Sequence, residues 1–336
     1  MSERAERIVG VSKSAFFSKA EWRRYLLELH RPSWPAVLHW LAMAGVFLVL
    51  TGLAGWFTYR GQYWLLIPVW LALAHVMHGH LIAFHECAHR TLAPVAWLND
   101  LIGQLIGTLS FMSISLYRAA HHLHHAYLAT EKDDELWPFT IPGTPRWFRC
   151  AIAAVELTMG LFYTPVLFLR SYLRRGSLIT AQRVRRRIAA ELVLVALFWT
   201  VALVAVHYLG VWTYFLTCYL VPSWLAGNIQ SLRKYIEHVG MFANGPTSAT
   251  RTVYHRGWFG RLIDFTWFNI PLHGVHHRFA ALPQDKVRHM FPLVYGDDQS
   301  RRYVYPSYTA AFLDLLPHLL DPKTGGQWTR TQRAAA

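Results

Sequence analysis

Apolar residues run along this chain in blocks long enough to cross a bilayer. Four blocks stand at about 36–58, 63–84, 188–208 and 211–230, where a spanning helix needs roughly 20 residues. Only Tyr59-Arg60-Gly61-Gln62 separates the first two, and only Leu209-Gly210 the last two. Each pair reads as a helical hairpin whose tip barely leaves the membrane. Two other runs, 101–117 and 151–169, carry more polarity: Gln104, Thr108, Ser110, Ser113 and Ser115 in the first, Glu156 and Pro165 in the second. They suit interfacial or re-entrant helices better than spans. The pattern predicts an all-α integral membrane protein with four transmembrane helices in two hairpins, interfacial helices and a cytosolic helical cap.

Composition supports a membrane protein. Hydrophobic residues make up 54 % of the 336 and charged residues 15 %, against roughly 25 % charged in a soluble domain. That excludes disordered and collagen-like chains. Three cysteines, Cys87, Cys150 and Cys218, are too few and too scattered for a disulfide framework or zinc ribbon. Residues 1–35 lack the apolar core of a secretory signal. The balance of 33 basic against 19 acidic residues gives +14, but long apolar runs argue against nucleic acid as the partner.

Sorting the charge by segment is more informative. With four spans, 32 of the 33 basic residues fall on one side, and only Arg60 lies in a hairpin tip. The positive-inside rule makes that side the cytosol. A six-span arrangement would push Arg118, Lys132, Arg146 and Arg149 outside. The reading is one membrane domain over 1–335 with a cytosolic or interfacial N-terminus at 1–35. The first hairpin covers 36–84, a cytosolic segment 85–187, the second hairpin 188–230 and a cytosolic segment 231–336. A bacterial inner membrane fits this reading. Arg185–Arg187 reads as a cytosolic anchor for the third span.

Histidine supplies the candidate chemistry. Three clusters stand out: His85-Glu86-Cys87-Ala88-His89, His121-His122-Leu123-His124-His125 and His273-Gly274-Val275-His276-His277. His238 lies just past the fourth span. On a helix, residues i, i+3 and i+4 share a face. His85 and His89 then point together, as do His121, His124 and His125, and also His273, His276 and His277. Neutral imidazole binds iron, copper, nickel and zinc. Nine such ligands suit a dinuclear site with open positions. In the four-span topology all nine lie on one side, whereas six spans would strand the second cluster.

Other polar residues rank lower. His80 and His122 are possible extra ligands. His75 and His78 share the face of His85 and His89, and suit hydrogen-bonded bundle positions, a substrate pocket or support for the site. Cys87 points away from His85 and reads as packed. Glu86, Asp133, Asp134, Glu135, Glu237 and Asp264 lie beside the clusters. Metal-bound histidines commonly donate their second N–H to a carboxylate. Glu237 and Asp134 are the preferred candidates for that role, with Glu86 a further one.

From about residue 35 to 300 the chain resembles the membrane fatty acid desaturase family. The resemblance rests on HECAH at 85–89, HHLHH at 121–125, YIEH at 235–238 and HGVHH at 273–277, on the two intervening apolar hairpins, and on DDEL at 133–136. It implies a non-haem enzyme with two Fe ions, using O2 and two electrons. The implied ligands are His85, His89, His121, His124, His125, His238, His273, His276 and His277. Some members carry HxxxxH as the first box, and His80 to His85 has that spacing. Asn228 stands ten residues before His238 and does not match the family's asparagine position. Lipid hydroxylases, alkane monooxygenases and carotenoid ketolases share the scaffold.

The resemblance therefore implies a lipid desaturase first, acting on a fatty acyl substrate. Hydroxylation or ketolation of a lipid, alkane or carotenoid is the alternative. A histidine-rich metal transporter or sensor is a different class, but it would place ligands near mid-membrane. No dinucleotide, haem or iron–sulfur motif occurs in the chain. The expected electron donor is a separate ferredoxin, rubredoxin or cytochrome b5, attracted to the basic cytosolic face. Anionic lipid would be attracted to the same charge.

Overall fold

The computed structural model describes residues 27–296 and 301–329. Ser33 is extended and Pro35 occupies the first turn of the next helix, where its missing N–H leaves no bond unmade. The first apolar block thus becomes α1, Trp34–Tyr59. Gly61, at φ +64°, reverses the chain in a conformation that favours glycine. A single 3-10 turn then leads into α2, Leu66–His89, which ends on Arg90 in the left-handed region at φ 60°. The second hairpin begins with α7, Gln182–Tyr208.

Three helices among the described residues are long and apolar enough to cross a membrane: Leu27–Tyr59, Tyr63–His89 and Gln182–Tyr208. The expected fourth span, 211–230, is helical but not one uninterrupted α-helix. It consists of α8, Trp212–Phe215, a π-helical turn at Leu216–Leu220, and α9, Val221–His238. Pro222 explains the break. It has no N–H for the carbonyl four residues back, so the preceding turn widens.

Both ambiguous polar runs are split. The first gives α3, Ala96–Leu109, and α4, Ile114–Ala126, separated at Phe111 with φ 59°. The second lies within α5, Arg146–Thr158, and α6, Gly160–Leu173, separated at Met159. None of these four helices is long enough to span. Ser113 caps α4 by accepting from the Leu116 N–H at 3.0 Å. Glu191 of α7 accepts from the Ser113 hydroxyl at 2.7 Å, the Ser115 N–H at 2.9 Å and the Ser115 hydroxyl at 2.7 Å. A helix long and apolar enough to cross a membrane thereby fixes the start of the helix that carries the second histidine cluster.

Beyond α9 come β1, Thr252–Val253, α10, Trp258–Thr266, α11, His273–Arg278, and α12, Gln284–Val294. The strand β2, Val304–Tyr305, pairs in parallel with β1, and α13, Tyr308–Leu315, follows. The largest apolar core joins α2, α3 and α4 through Ile82, Phe84, Cys87, Ile102, Ile114 and Leu116.

Helices α6 and α9 approach through two facing glycines. A Cβ on Gly160 would lie 2.3 Å from the Gly227 carbonyl oxygen, and one on Gly227 would lie 2.4 Å from the Leu161 nitrogen. Backbone fills most of the space, with the Ser231 hydroxyl oxygen also 2.5 Å from a Cβ at Gly160. Gly160→Val is expected to destabilise the protein by about 1–3 kcal/mol through overpacking. A thermal scan in detergent that matched wild type would show that the two helices can separate freely.

Candidate metal centre

Each histidine segment is anchored before its ring is placed. Arg118 of α4 donates to the carbonyls of Cys87 and Ala88, both at 3.0 Å, and pairs with Asp100 at 2.6 Å. The end of α2 and the helix after it are thereby bolted together. Arg251 donates to the Ile236 and Val239 carbonyls at 3.0 and 2.6 Å, closing the end of α9 around His238. In α11 the Gly274 N–H donates to the Thr252 hydroxyl at 2.8 Å, and that hydroxyl shares a hydrogen bond with Tyr295 at 2.7 Å. A Cβ at position 274 would collide with the Tyr295 hydroxyl oxygen, only 1.9 Å away. The residue between His273 and Val275 must therefore be glycine.

These anchors bring all nine sequence-predicted histidines together. His85, His89, His121, His125 and His276 form one group whose donor atoms lie within 4.8 Å of one another. His124, His238 and His277 form a second group on the same criterion, and Glu237, His238 and His273 a third. The groups adjoin: the His125 and His277 ring centroids are 4.4 Å apart, His277 Nε2 is 3.0 Å from His273 Nε2, and His238 belongs to both the second and the third group.

The outward nitrogens of four rings have defined partners. His121 Nδ1 faces Glu135 at 2.8 Å, His124 Nδ1 faces Asp133 at 2.9 Å, and His85 Nδ1 faces Glu86 at 3.2 Å. His238 Nδ1 faces the Ala249 carbonyl at 3.3 Å. An Nδ1–H donated outward leaves the Nε2 lone pair pointing inward, the tautomer a metal requires. Burial first, then neighbouring imidazoles, hold His121, His276 and His277 well below the ordinary histidine range. They are therefore neutral. At His124 burial also opposes the charge, but Asp133 and Glu135 outweigh it and lift the pKa to about 9. The extra proton there occupies the nitrogen that a cation would replace. Two sets of inward imidazoles suit borderline metals such as iron or zinc.

Several sequence candidates lie elsewhere. Asp134, a preferred acid, pairs with Arg170 at 3.1 Å and Arg174 at 2.8 Å and holds α6 instead of a histidine. Its neighbours Asp133 and Glu135 take the expected role, because the 3-10 turn over 134–136 turns alternate acids toward α4. Glu237 does reach the cluster, 3.4 Å from His273 Nε2, while also pairing with Arg233. Asp264 pairs with His255 at 2.7 Å, outside the cluster.

His80 stands apart, its ring against Trp40 and Phe47. His122 is exposed, 5.5 Å from the His89 ring centroid and in none of the groups. His75 shares a hydrogen bond with Thr266 at 2.8 Å, and His78 is buried against Trp267. Cys87 is packed in the core. Asn228 accepts from the Gly160 N–H at 2.9 Å.

Sequence reasoning missed Tyr117, whose ring stacks on His121 at 5.1 Å and 8°. Its place four residues before His121 on α4 was the available signal. Tyr117 also marks where cavities meet the site. An apolar cavity of about 320 Å³ lies between α1, α2, α3 and α9, lined by Trp40, Phe47, Met77, Leu105 and Tyr219. Through Leu81, Ser110 and Leu161 it adjoins a smaller cavity bounded by Phe84, Tyr117 and Gln230. Tyr117 and Gln230 in turn border a small polar cavity that reaches Glu135. Leu48 and Leu105, both on the wall of the large cavity, are also exposed on the outer surface.

The model of the family described as fatty acid desaturase matches residues 62–309, most of this chain. The chain belongs to the fatty acid desaturase family. It is 25 % identical over 185 residues to an sn-1 oleoyl-lipid 12-desaturase of Picosynechococcus, covering 54 % of this chain and 51 % of that one. The enzyme of the same description from Synechocystis is 28 % identical over 242 residues, 67 % of each chain. An sn-1 acyl-lipid omega-3 desaturase (ferredoxin) of Nostoc is 29 % identical over 119 residues, 34 % of this chain and 32 % of that one. The match spans about half the length of the first of these relatives.

If Asp133 orients His124 for a metal, Asp133→Ala should weaken metal retention about 10–100-fold. Asp134→Ala should leave it unchanged. Chelator titration of the metal-loaded protein reads both, and equal losses would contradict the assignment.

Proposed function

We propose that this protein is an O2-dependent membrane desaturase that introduces a double bond into a fatty acyl chain at a di-iron centre. The observation that carries the reading is the meeting of nine histidines from four segments beside Tyr117, whose ring stacks on His121 and also lines the smaller apolar cavity. His85, His89, His121, His125 and His276 would hold one ion. His124, His238, His273 and His277 would hold the other, with Glu237 beside them. Two bound irons would supply the oxidising power to break an unactivated C–H bond. Overall the acyl chain loses two hydrogens and O2 becomes two waters, with two electrons supplied by the donor one at a time and two protons taken from solvent.

The protein's own residues bind and orient. Trp40, Phe47, Met77, Leu105 and Tyr219 give the substrate an apolar wall and exclude water. The exposed edge at Leu48 and Leu105 lets a chain enter sideways from lipid. Glu86, Asp133 and Glu135 fix ring orientation. Tyr117 stands between cavity and histidines, where it sets how closely the chain approaches. A separate one-electron donor of ferredoxin type is expected, since the Nostoc relative's name carries ferredoxin. Basic residues around the ends of α2, α7 and α9 support a site on the cytosolic face under the positive-inside rule. In this reading α8, the π-helical turn and α9 together would make the fourth crossing.

Anaerobically purified protein should contain about two irons per chain. A host expressing it should gain an unsaturated acyl lipid. His124→Ala and His276→Ala should abolish that product with expression intact, while His122→Ala retains most of it. No bound metal, or an unchanged acyl profile from iron-loaded, reductant-supplied enzyme, would overturn the reading.

A further inference from the structure

Helix α10 presents an apolar face that is largely exposed. Trp258, Phe259, Leu262 and Phe265 follow one another at i, i+1, i+4 and i+7, and are 80, 62, 49 and 57 % exposed. The other face is tied down. Asp264 is buried there, accepting from His255 at 2.7 Å and Arg288 at 3.0 Å. Four large apolar side chains on nine residues make a patch of the kind that marks an interaction surface.

The neighbours of α10 say what that surface meets. Phe265 stacks on His39 of α1, with ring centroids 4.0 Å apart. The Thr266 hydroxyl bonds His75 of α2 at 2.8 Å. Gly79 of α2 lies so close to the Thr266 carbonyl that a Cβ there would sit 2.6 Å from its oxygen. Gly79 is ten residues before His89 on α2, or about 15 Å at 1.5 Å per residue. It is thirteen residues from the other end at Leu66, or about 20 Å. With a hydrocarbon core about 30 Å thick, the end of α10 meets α2 at a level within the lipid.

We propose that α10 is a half-embedded helix, immersed in the leaflet on the histidine side of the membrane. Its Trp258, Phe259, Leu262 and Phe265 face contacts acyl chains. Arg256 and Arg261, both exposed, meet lipid phosphates. The neighbouring α1 also exposes Leu38 and Leu41, and the arginines complement anionic headgroups. The inference rests on the reading of α1 and α2 as spans. It changes the expected topology, because 231–336 then enters the membrane and is not wholly cytosolic. It also ties the third histidine cluster to lipid, since His273 follows Thr266 by seven residues.

The test uses the iron-loaded enzyme in bilayers, with Cys150 and Cys218 replaced by serine. A fluorophore is attached at Phe259→Cys, and separately at Val201→Cys on the exposed side of α7 as a reference. Acyl-brominated lipid should quench both labels, the Phe259 label most strongly with bromine about 5–10 Å below the headgroups. Iodide in water should leave the Phe259 label bright. Quenching of that label by iodide and not by brominated lipid, with the Val201 label responding to lipid, would overturn the proposal and leave the spans intact. Protection from both quenchers would mean that protein, such as a second copy, covers the face, and would also overturn it. Failure of brominated lipid to reach either label would remove the spanning reading and the proposal together.

Discussion

The structure depends on holding imidazole nitrogens at close range with their lone pairs turned inward. Ring nitrogens stand 2.8–3.1 Å apart, both between segments and within one helix. Like-charged rings at that distance would repel in a medium of low dielectric. Burial resolves the conflict by favouring the neutral form, and carboxylates behind selected rings choose which nitrogen keeps its proton. Both requirements demand rigid surroundings, since a ring that rotates exchanges a ligand for a donor. Arg118, Arg251 and the Thr252–Tyr295 pair supply that rigidity at the backbone of three different segments.

The geometry also explains why the site stands where it does. Apolar helices end beside it, so in the proposed reaction a chain held in the cavity would lie in lipid-like surroundings while its reacting carbons approached polar ligands. Tyr117 joins the two environments, with one edge on the cavity and one face on His121. The centre does not need to draw an insoluble molecule into water. It needs only to keep water away from the point where the chain meets the histidines.

Much of this was legible in the sequence, because it is governed by local periodicity. The spacing of HECAH, HHLHH and HGVHH puts rings on one helical face whatever the fold, and long apolar runs announce α1, α2 and α7. The failures share a cause. Asp134 and Asp133 are adjacent, and which of them faces a histidine depends on a 3-10 turn and on Arg170 and Arg174, more than thirty residues away in sequence. His80 has a ligand's spacing from His85 but points to Trp40 and Phe47. Helix α10 is too short to register as a membrane segment by hydropathy. Its significance comes from its height against α1 and α2, which only tertiary structure sets.

Glu191 carries a consequence of another kind. It belongs to α7, a helix long and apolar enough to cross a membrane, and its carboxylate grips Ser113 and Ser115 at the start of α4. Helices of this sort tilt to match the thickness of the bilayer. Any tilt of α7 moves Glu191, and Glu191 carries with it the first turn of the helix that bears His121, His124 and His125. The hydrogen bonds thus form a lever between the mechanical state of the membrane and the placement of three imidazoles. Acyl composition governs membrane thickness and fluidity, so the material on which the family acts presses on the geometry of the centre that acts on it.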